Sequence, residues 1–149
     1  MNDIRGFFGE HRWLSNFWDC SVVYESLLFP SVEHAYVYTK GEVSSVGFDS
    51  LVNMTAAEAK TFGRSLTLYD DFEDRRLDIM QALINNKFSN TLNPILVEKL
   101  IKTDDAELVE VNTWGDRFWG ADTQGRGANH LGKAIMRRRE QLEAKEWLI

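Results

Sequence analysis

Residues 112–139 hold five glycines, two tryptophans, two acids and six basic side chains, and no other run constrains the fold as strongly. Glycine lacks a Cβ, so a backbone can take left-handed turns there or come close to a ligand. Tryptophan adds a large flat face with one N–H donor. A run this polar and glycine-rich cannot be the middle of a core element. It reads as a loop carrying Trp114, Asp116, Trp119, Gly120, Gly125 and Gly127 that feeds a last helix from Asn129 onward. Such a loop entering a basic helix suits a flat, anionic molecule, and a nucleotide is the obvious candidate. Gly125 and Gly127 are expected to offer backbone N–H groups to phosphate at the helix N-terminus, where the dipole favours anions. Trp119 is expected to face the ligand and Trp114 to pack inside, while Asn129 reads equally as ligand contact or helix cap.

Charge sharpens this reading. The chain carries a net −6, which argues against a broad polyanion-binding surface. Residues 112–139 nevertheless sum to +4, so the remainder carries −10. A local basic site on an acidic body suits a small phosphorylated ligand or one modified nucleotide better than a long duplex. Arg137 and Arg138 read equally well as a solvated helix face.

With 149 residues and 44% hydrophobic content, one domain spanning 1–149 with a real core is expected. No basic-then-apolar leader and no apolar run of membrane-spanning length is visible, so no membrane partner is expected. Cys20 is the only cysteine, which fits a reducing compartment and a cytoplasmic protein (the host cytoplasm if phage-encoded). His11, His34 and His130 have no cysteine partners and do not make a zinc site. There is no P-loop and no strand-linked dinucleotide fingerprint, and no cofactor is expected.

Patterning predicts an α+β fold, mainly helical, with a few short strands. Phe7–Phe8, Cys20–Leu28 and Glu107–Val111 read as strands. Ser31 can cap a short helix that Gly41 ends, and Thr55 with Glu58 forms a capping-box signal for a second helix ending near Gly63. A longer helix is expected from Asp71 to about Phe88, burying Phe72, Ile79, Met80, Leu83 and Ile84. Asn93-Pro94 opens another through Leu96 and Leu100.

The Ser31 helix carries the second constellation. Glu33 and Lys40 lie two turns apart and project from nearly the same face. A carboxylate there can move protons or support positive charge, and a desolvated amine can attack a carbonyl carbon. The same residues have a plainer explanation, because Glu is favoured in a first helical turn and Lys in the last.

These residues, taken in order, resemble the NADAR superfamily. Leu14-Ser15-Asn16-Phe17 matches its N-terminal element, and Ser31, Glu33, His34 and Lys40 match the next. Ala59, Lys60, Gly63 and Arg64 match a third, and Met80 with Lys87-Phe88 a fourth. The closing element is matched by Trp119-Gly120, Gly125, Gly127, Asn129, Leu131-Gly132, Met136 and Arg139. One departure is visible: the aromatic opening the long helix, usually Trp in the family, is Phe72. If that ring stacks on substrate, substrate choice differs.

The resemblance implies a single NADAR-type domain acting as an N-glycosidase on ribose or ADP-ribose attached to nitrogen. Members release ADP-ribose from guanine in nucleic acid, and others hydrolyse phosphoribosylated riboflavin-pathway intermediates. A stand-alone eraser of ADP-ribosylation is expected, rather than half of a fused toxin–antidote protein, in a bacterial or phage-defence setting. Cleaving a C1′–N bond builds positive charge on the sugar, which a nearby carboxylate stabilises or relieves by activating water. Glu33 is assigned that role. Lys40 can instead trap ring-opened ribose as an imine, which requires an amine with a lowered pKa. Asp116 is the reserve acid.

Asn16, His34, Arg64, Trp119, Gly120, Gly125, Gly127, Asn129 and Arg139 are the expected substrate contacts. Three functions follow. The first is an ADP-ribosyl-guanine hydrolase on DNA or RNA. The second is an N-glycosidase of small phosphoribosylated metabolites. The third is a non-catalytic ADP-ribose or NAD-binding module.

Overall fold

The computed structural model describes residues 2–147. It divides into two compact units, named here for their place in the sequence: a central unit, Asn16–Lys87, and a terminal unit, Met1–Ser15 with Phe88–Ile149. The described residues form six α-helices, one short 3-10 helix and four short strands. This is the mainly helical α+β fold expected.

The central unit holds β2 (Val22–Tyr24), β3 (Leu27–Phe29), α1 (Val32–Lys40), α2 (Ser45–Val52), α3 (Ala56–Arg64) and α4 (Phe72–Lys87). α1 is its axle. Val32 to Val37 and Thr39 are all buried, and the helix packs against α3, α4 and β2. The Ser31 side chain accepts from the His34 N–H and starts α1 as expected. At its other end the Lys40 carbonyl accepts from the Tyr69 N–H at 2.9 Å. The Thr55–Glu58 capping box opens α3 with both bonds formed. Val37 meets α3 at Gly63, where a Cβ would lie 3.0 Å from the Val37 side chain, so a residue without one lets the helices close. α4 buries Phe72, Ile79, Met80, Leu83 and Ile84, as its pattern requires.

Two features of the central unit differ from expectation. The strand expected over Cys20–Leu28 is an antiparallel hairpin of β2 and β3, turned by Glu25 and Ser26, both with positive φ (50° and 67°). Two left-handed positions suit the twist of a tight hairpin, but Asn and Gly are the residues that normally signal it. α2 has no counterpart in the pattern because only Leu51 is buried along it.

In the terminal unit, β1 (Ile4–Arg5) pairs in parallel with β4 (Leu108–Val109). The strand expected at Phe7–Phe8 lies instead at Ile4–Arg5, because Gly6 turns the chain with φ +100°. The 3-10 helix Gly9–Leu14 follows and buries Trp13 and Leu14. α5 (Pro94–Ile101) opens on Pro94, and α6 (His130–Trp147) packs against α5 and β4. Trp13 meets Phe88 edge-on at 6.3 Å in the core of this unit. No helix among the described residues is long and apolar enough to cross a membrane.

Candidate active site

In the central unit, burial of α1 changes the meaning of its polar residues. Glu33 is 8% exposed, although a first-turn glutamate serving only the helix dipole belongs on the surface. Its backbone N–H donates to the Asn16 carbonyl at 3.0 Å, which ties Asn16 to the first turn of α1. The Asn16 Nδ2 donates to Met80 Sδ at 3.6 Å, whereas its Oδ1 is buried with no hydrogen-bond partner. A buried acceptor left in that state costs on the order of 1–3 kcal/mol.

Lys40 is half-buried, and its ammonium lies 5.3 Å from the centre of the Tyr36 ring. Helical side chains lean toward the N-terminus, so the amine folds back along α1 toward the Glu33 turn. Burial pushes the Lys40 pKa down. Glu33 opposes that shift, while the like charges of Lys60 and Arg64 reinforce it. Tyr36 rests in turn on Phe72, ring centres 5.6 Å apart. Phe72 is 4% exposed, so the one visible departure from the family pattern is a core residue supporting the Lys40 platform.

His34 has both ring nitrogens engaged. Nε2 donates to the Met54 carbonyl at 2.8 Å, and Nδ1 accepts from the Ser31 hydroxyl at 2.6 Å. It braces α1 rather than presenting a free imidazole. Lys60 stands 5.9 Å over the Phe17 ring and Arg64 is exposed on the same helix. Lys87 is fully buried at the end of α4. Burial raises the Cys20 thiol pKa, and the charge of Lys87 partly offsets that push.

In the terminal unit, the glycine-rich stretch is a tightly bonded loop. Asn112 and Asp116 clamp its start: Asn112 Nδ2 donates to the Asp116 carbonyl at 2.8 Å, and the Asp116 N–H donates to Asn112 Oδ1 at 3.0 Å. Asp116 Oδ1 then accepts from the N–H groups of Phe118 and Trp119, so this carboxylate shapes the turn. Gly120 packs where a Cβ would strike the Glu110 carbonyl, and at Gly127, φ +144°, a Cβ would strike the Gly120 carbonyl.

At the N-terminus of α6, where the phosphate cradle is expected, the loop supplies hydrogen-bond partners of its own. The N–H groups of Asn129, His130 and Leu131 donate to the carbonyls of Gly120, Phe118 and Trp119, so the loop itself caps α6. The Gly125 N–H donates to the Asp122 carbonyl. Asn129, at φ 51°, accepts from the Glu110 N–H and donates to the Leu108 carbonyl.

The basic excess is also largely committed. Arg117 and Arg126 both bond Asp122, at 3.1 and 2.8 Å. Arg138 donates to the Phe88 carbonyl, and Arg139, 7% exposed, donates to the Thr103 hydroxyl. Trp119 is half-buried, edge-on to Phe118 at 4.8 Å, whereas Trp114, expected in the core, is 66% exposed. A cavity of about 480 Å³ in this unit is lined by Arg5, Lys133, Glu107, Thr123 and Gln124, together with Gly125, Gly127 and Asn129.

Of the expected catalytic and binding residues, Asn16, Glu33, His34, Lys40 and Arg64 belong to the central unit. Asp116, Trp119, Gly120, Gly125, Gly127, Asn129 and Arg139 belong to the terminal unit. Lys60 was legible only as part of a matched motif, and its charge at Lys40 emerges from the packing of α1 on α3.

Comparison with known proteins adds an independent line. The profile of the NADAR domain family matches residues 6–143. A riboflavin biosynthesis protein of Vibrio vulnificus is 33% identical over 135 residues, covering 89% of this chain and 36% of that protein. The chain thus spans about a third of that relative. An N-glycosidase of Nostoc punctiforme is 33% identical over 133 residues, covering 86% of this chain and 83% of that one. The NMR structure of Escherichia coli YbiA superposes with a TM-score of 0.81 at 25% identity, covering 99% of this chain and 89% of that one.

Proposed function

The chain belongs to the NADAR domain family, and on that premise we propose that it is an N-glycosidase hydrolysing the bond between ADP-ribose and a guanine base in nucleic acid. The observation that carries this reading is the pairing on α1 of a buried carboxylate, Glu33, with an amine, Lys40, whose pKa burial lowers. A glycosidase needs a carboxylate at the carbon that becomes cationic, and Glu33 fills that role. An amine whose pKa is lowered can add to C1′ as the C1′–N bond to the base breaks and the base leaves with a proton. The resulting glycosylamine ring-opens to an imine that water hydrolyses to free sugar and the amine. The relative from Nostoc punctiforme, matched over most of its length, carries the name N-glycosidase and supports the reaction class.

Asn16 and Arg64 are proposed substrate contacts beside this pair. Gly125 and Gly127 line the cavity of the terminal unit with Arg5 and Lys133, and are proposed contacts there for an anionic group. Trp119 and Gly120 are proposed contacts on the same loop. His34, Asp116, Asn129 and Arg139 have polar groups engaged by the framework, and we assign them positioning roles.

A second reading has its own support. The Vibrio vulnificus relative is named for riboflavin biosynthesis, which favours a small phosphoribosylated metabolite as substrate. Incubation with a guanine-ADP-ribosylated oligonucleotide, and separately with a phosphoribosylated riboflavin precursor, decides between them by mass spectrometry. Free ADP-ribose from the first supports the guanine reading. Free ribose 5-phosphate from the second alone selects the metabolite. Release from neither removes the glycosidase assignment.

A further inference from the structure

We propose that Lys60 and Arg64 form an anion subsite that holds the 5′-phosphate of the substrate's ribose beside the Glu33–Lys40 pair. The proposal rests on the N-glycosidase reading and names the part of the substrate that both candidate ligands share, a ribose carrying phosphate.

The geometry comes from α3. Lys60 and Arg64 are four residues apart and so neighbours on one face of that helix. Gly63, beside Arg64 in sequence, is the point where α3 closes on Val37 of α1, so both cations stand at the crossing of the two helices. Lys60 is located further by its ammonium over the Phe17 ring at 5.9 Å. Phe17 follows Asn16, whose carbonyl accepts from the Glu33 N–H, so Lys60 belongs to the neighbourhood of the Glu33 turn. From the other side, Lys40 folds back over Tyr36.

Lys60 and Arg64 therefore stand close enough to Lys40 for their like charges to act on its amine, against the opposing charge of Glu33, in a chain whose net charge is −6. Cations placed together in this way attract an anion against the general field of the protein. A guanidinium offers paired donors to phosphate oxygens, and an ammonium supplies a compact charge. Asn16 Oδ1, buried and unpartnered, adds an acceptor that a ribose hydroxyl can satisfy.

The test is calorimetric titration with ribose, ribose 5-phosphate and ADP-ribose. Wild-type protein should bind ribose 5-phosphate more tightly than ribose. Lys60→Gln and Arg64→Gln should each weaken ribose 5-phosphate about tenfold or more, the loss of one charge-assisted bond. Ribose affinity should not change, and Lys60→Arg should restore most of the loss. An equal loss for ADP-ribose assigns its ribose-proximal phosphate to the subsite, and a loss for ADP-ribose alone overturns the 5′-phosphate assignment. Unchanged affinity in both Gln variants, or wild type that does not distinguish ribose 5-phosphate from ribose, overturns the proposal. Turnover assays on the same proteins separate the two readings. Weakened phosphate binding in variants of an enzyme with no glycosidase turnover keeps the subsite and removes the reaction, whereas turnover with unaltered binding does the reverse.

Discussion

A carboxylate placed on a helix buried on nearly all sides loses much of its hydration, and that cost is tolerated where the charge is used. Glu33→Gln keeps the shape and removes the charge. Turnover should fall on the order of 10²-fold or more, with the fold and ADP-ribose binding retained. Near-normal turnover would remove Glu33 from the mechanism. Lys40→Arg keeps a cation but gives up a deprotonable amine, since guanidinium stays charged in proteins. If Lys40 forms an imine, this variant should be inactive, and borohydride added during wild-type turnover should leave a sugar on Lys40 by peptide mapping. The pH dependence has a definite sign. The free amine appears as pH rises through a pKa held below the usual lysine value of about 10.4. Lys60→Gln removes one of the like charges that lower it, with Arg64 and Glu33 still in place. The rising limb of activity should therefore move to higher pH, and an unmoved limb would detach Lys60 from Lys40. At this scale the sequence names candidate residues, but not which are already spoken for. Nothing in its spacing shows that His34 spends both nitrogens on the frame, or that Trp114 and not Trp119 is the exposed ring.

Among the elements, α1, α3 and α4 were readable because their caps and apolar spacing are local signals. The β2–β3 hairpin was not, since Glu25 and Ser26 adopt left-handed turns that their side chains do not advertise. α2 buries only Leu51, so its amphipathic signal is faint. The loop into α6 was readable as a loop, but its hydrogen bonding depends on backbone carbonyls that composition does not locate. Two predictions belong here. Gly63→Ala places a methyl group 3.0 Å from the Val37 side chain, and such overpacking should cost about 1–3 kcal/mol in urea melts. A neutral or stabilising effect would show that α1 and α3 yield easily. Asp122 binds the Arg126 and Gln124 backbone N–H groups and the Arg126 side chain. The Arg126 backbone bond is the leading cause holding its pKa down at about 2. A depressed carboxylate pKa means that its contribution to the loop is complete above the ordinary value of 3.8 and lost as pH falls through about 2. The Asp122 carboxyl resonance should titrate near that lower value, and a midpoint near 3.8 would mean that the loop bonds are absent in solution.

For the molecule as a whole, charge is the property most easily misjudged. The excess of +4 in residues 112–139 suggests a basic surface, yet Arg117, Arg126, Arg138 and Arg139 are bonded within their own unit. Binding of an ADP-ribosylated single strand should therefore depend weakly on salt, with a slope of log K against log salt no steeper than about −2, the release expected from two or three phosphates. A slope near −5 would reveal an extended track along the strand.

The pairing of β1 with β4 has a consequence in time. Asn16–Lys87 is continuous in sequence and leaves the ribosome as a complete unit, but Ile4 and Arg5 have no strand to join until Leu108 and Val109 have been made. At synthesis rates of about 5–20 residues per second, that wait is on the order of 5–20 s. Through it, Ile4, Phe7, Trp13 and Leu14 remain an unsheltered apolar segment of the nascent chain, a natural landing place for a chaperone.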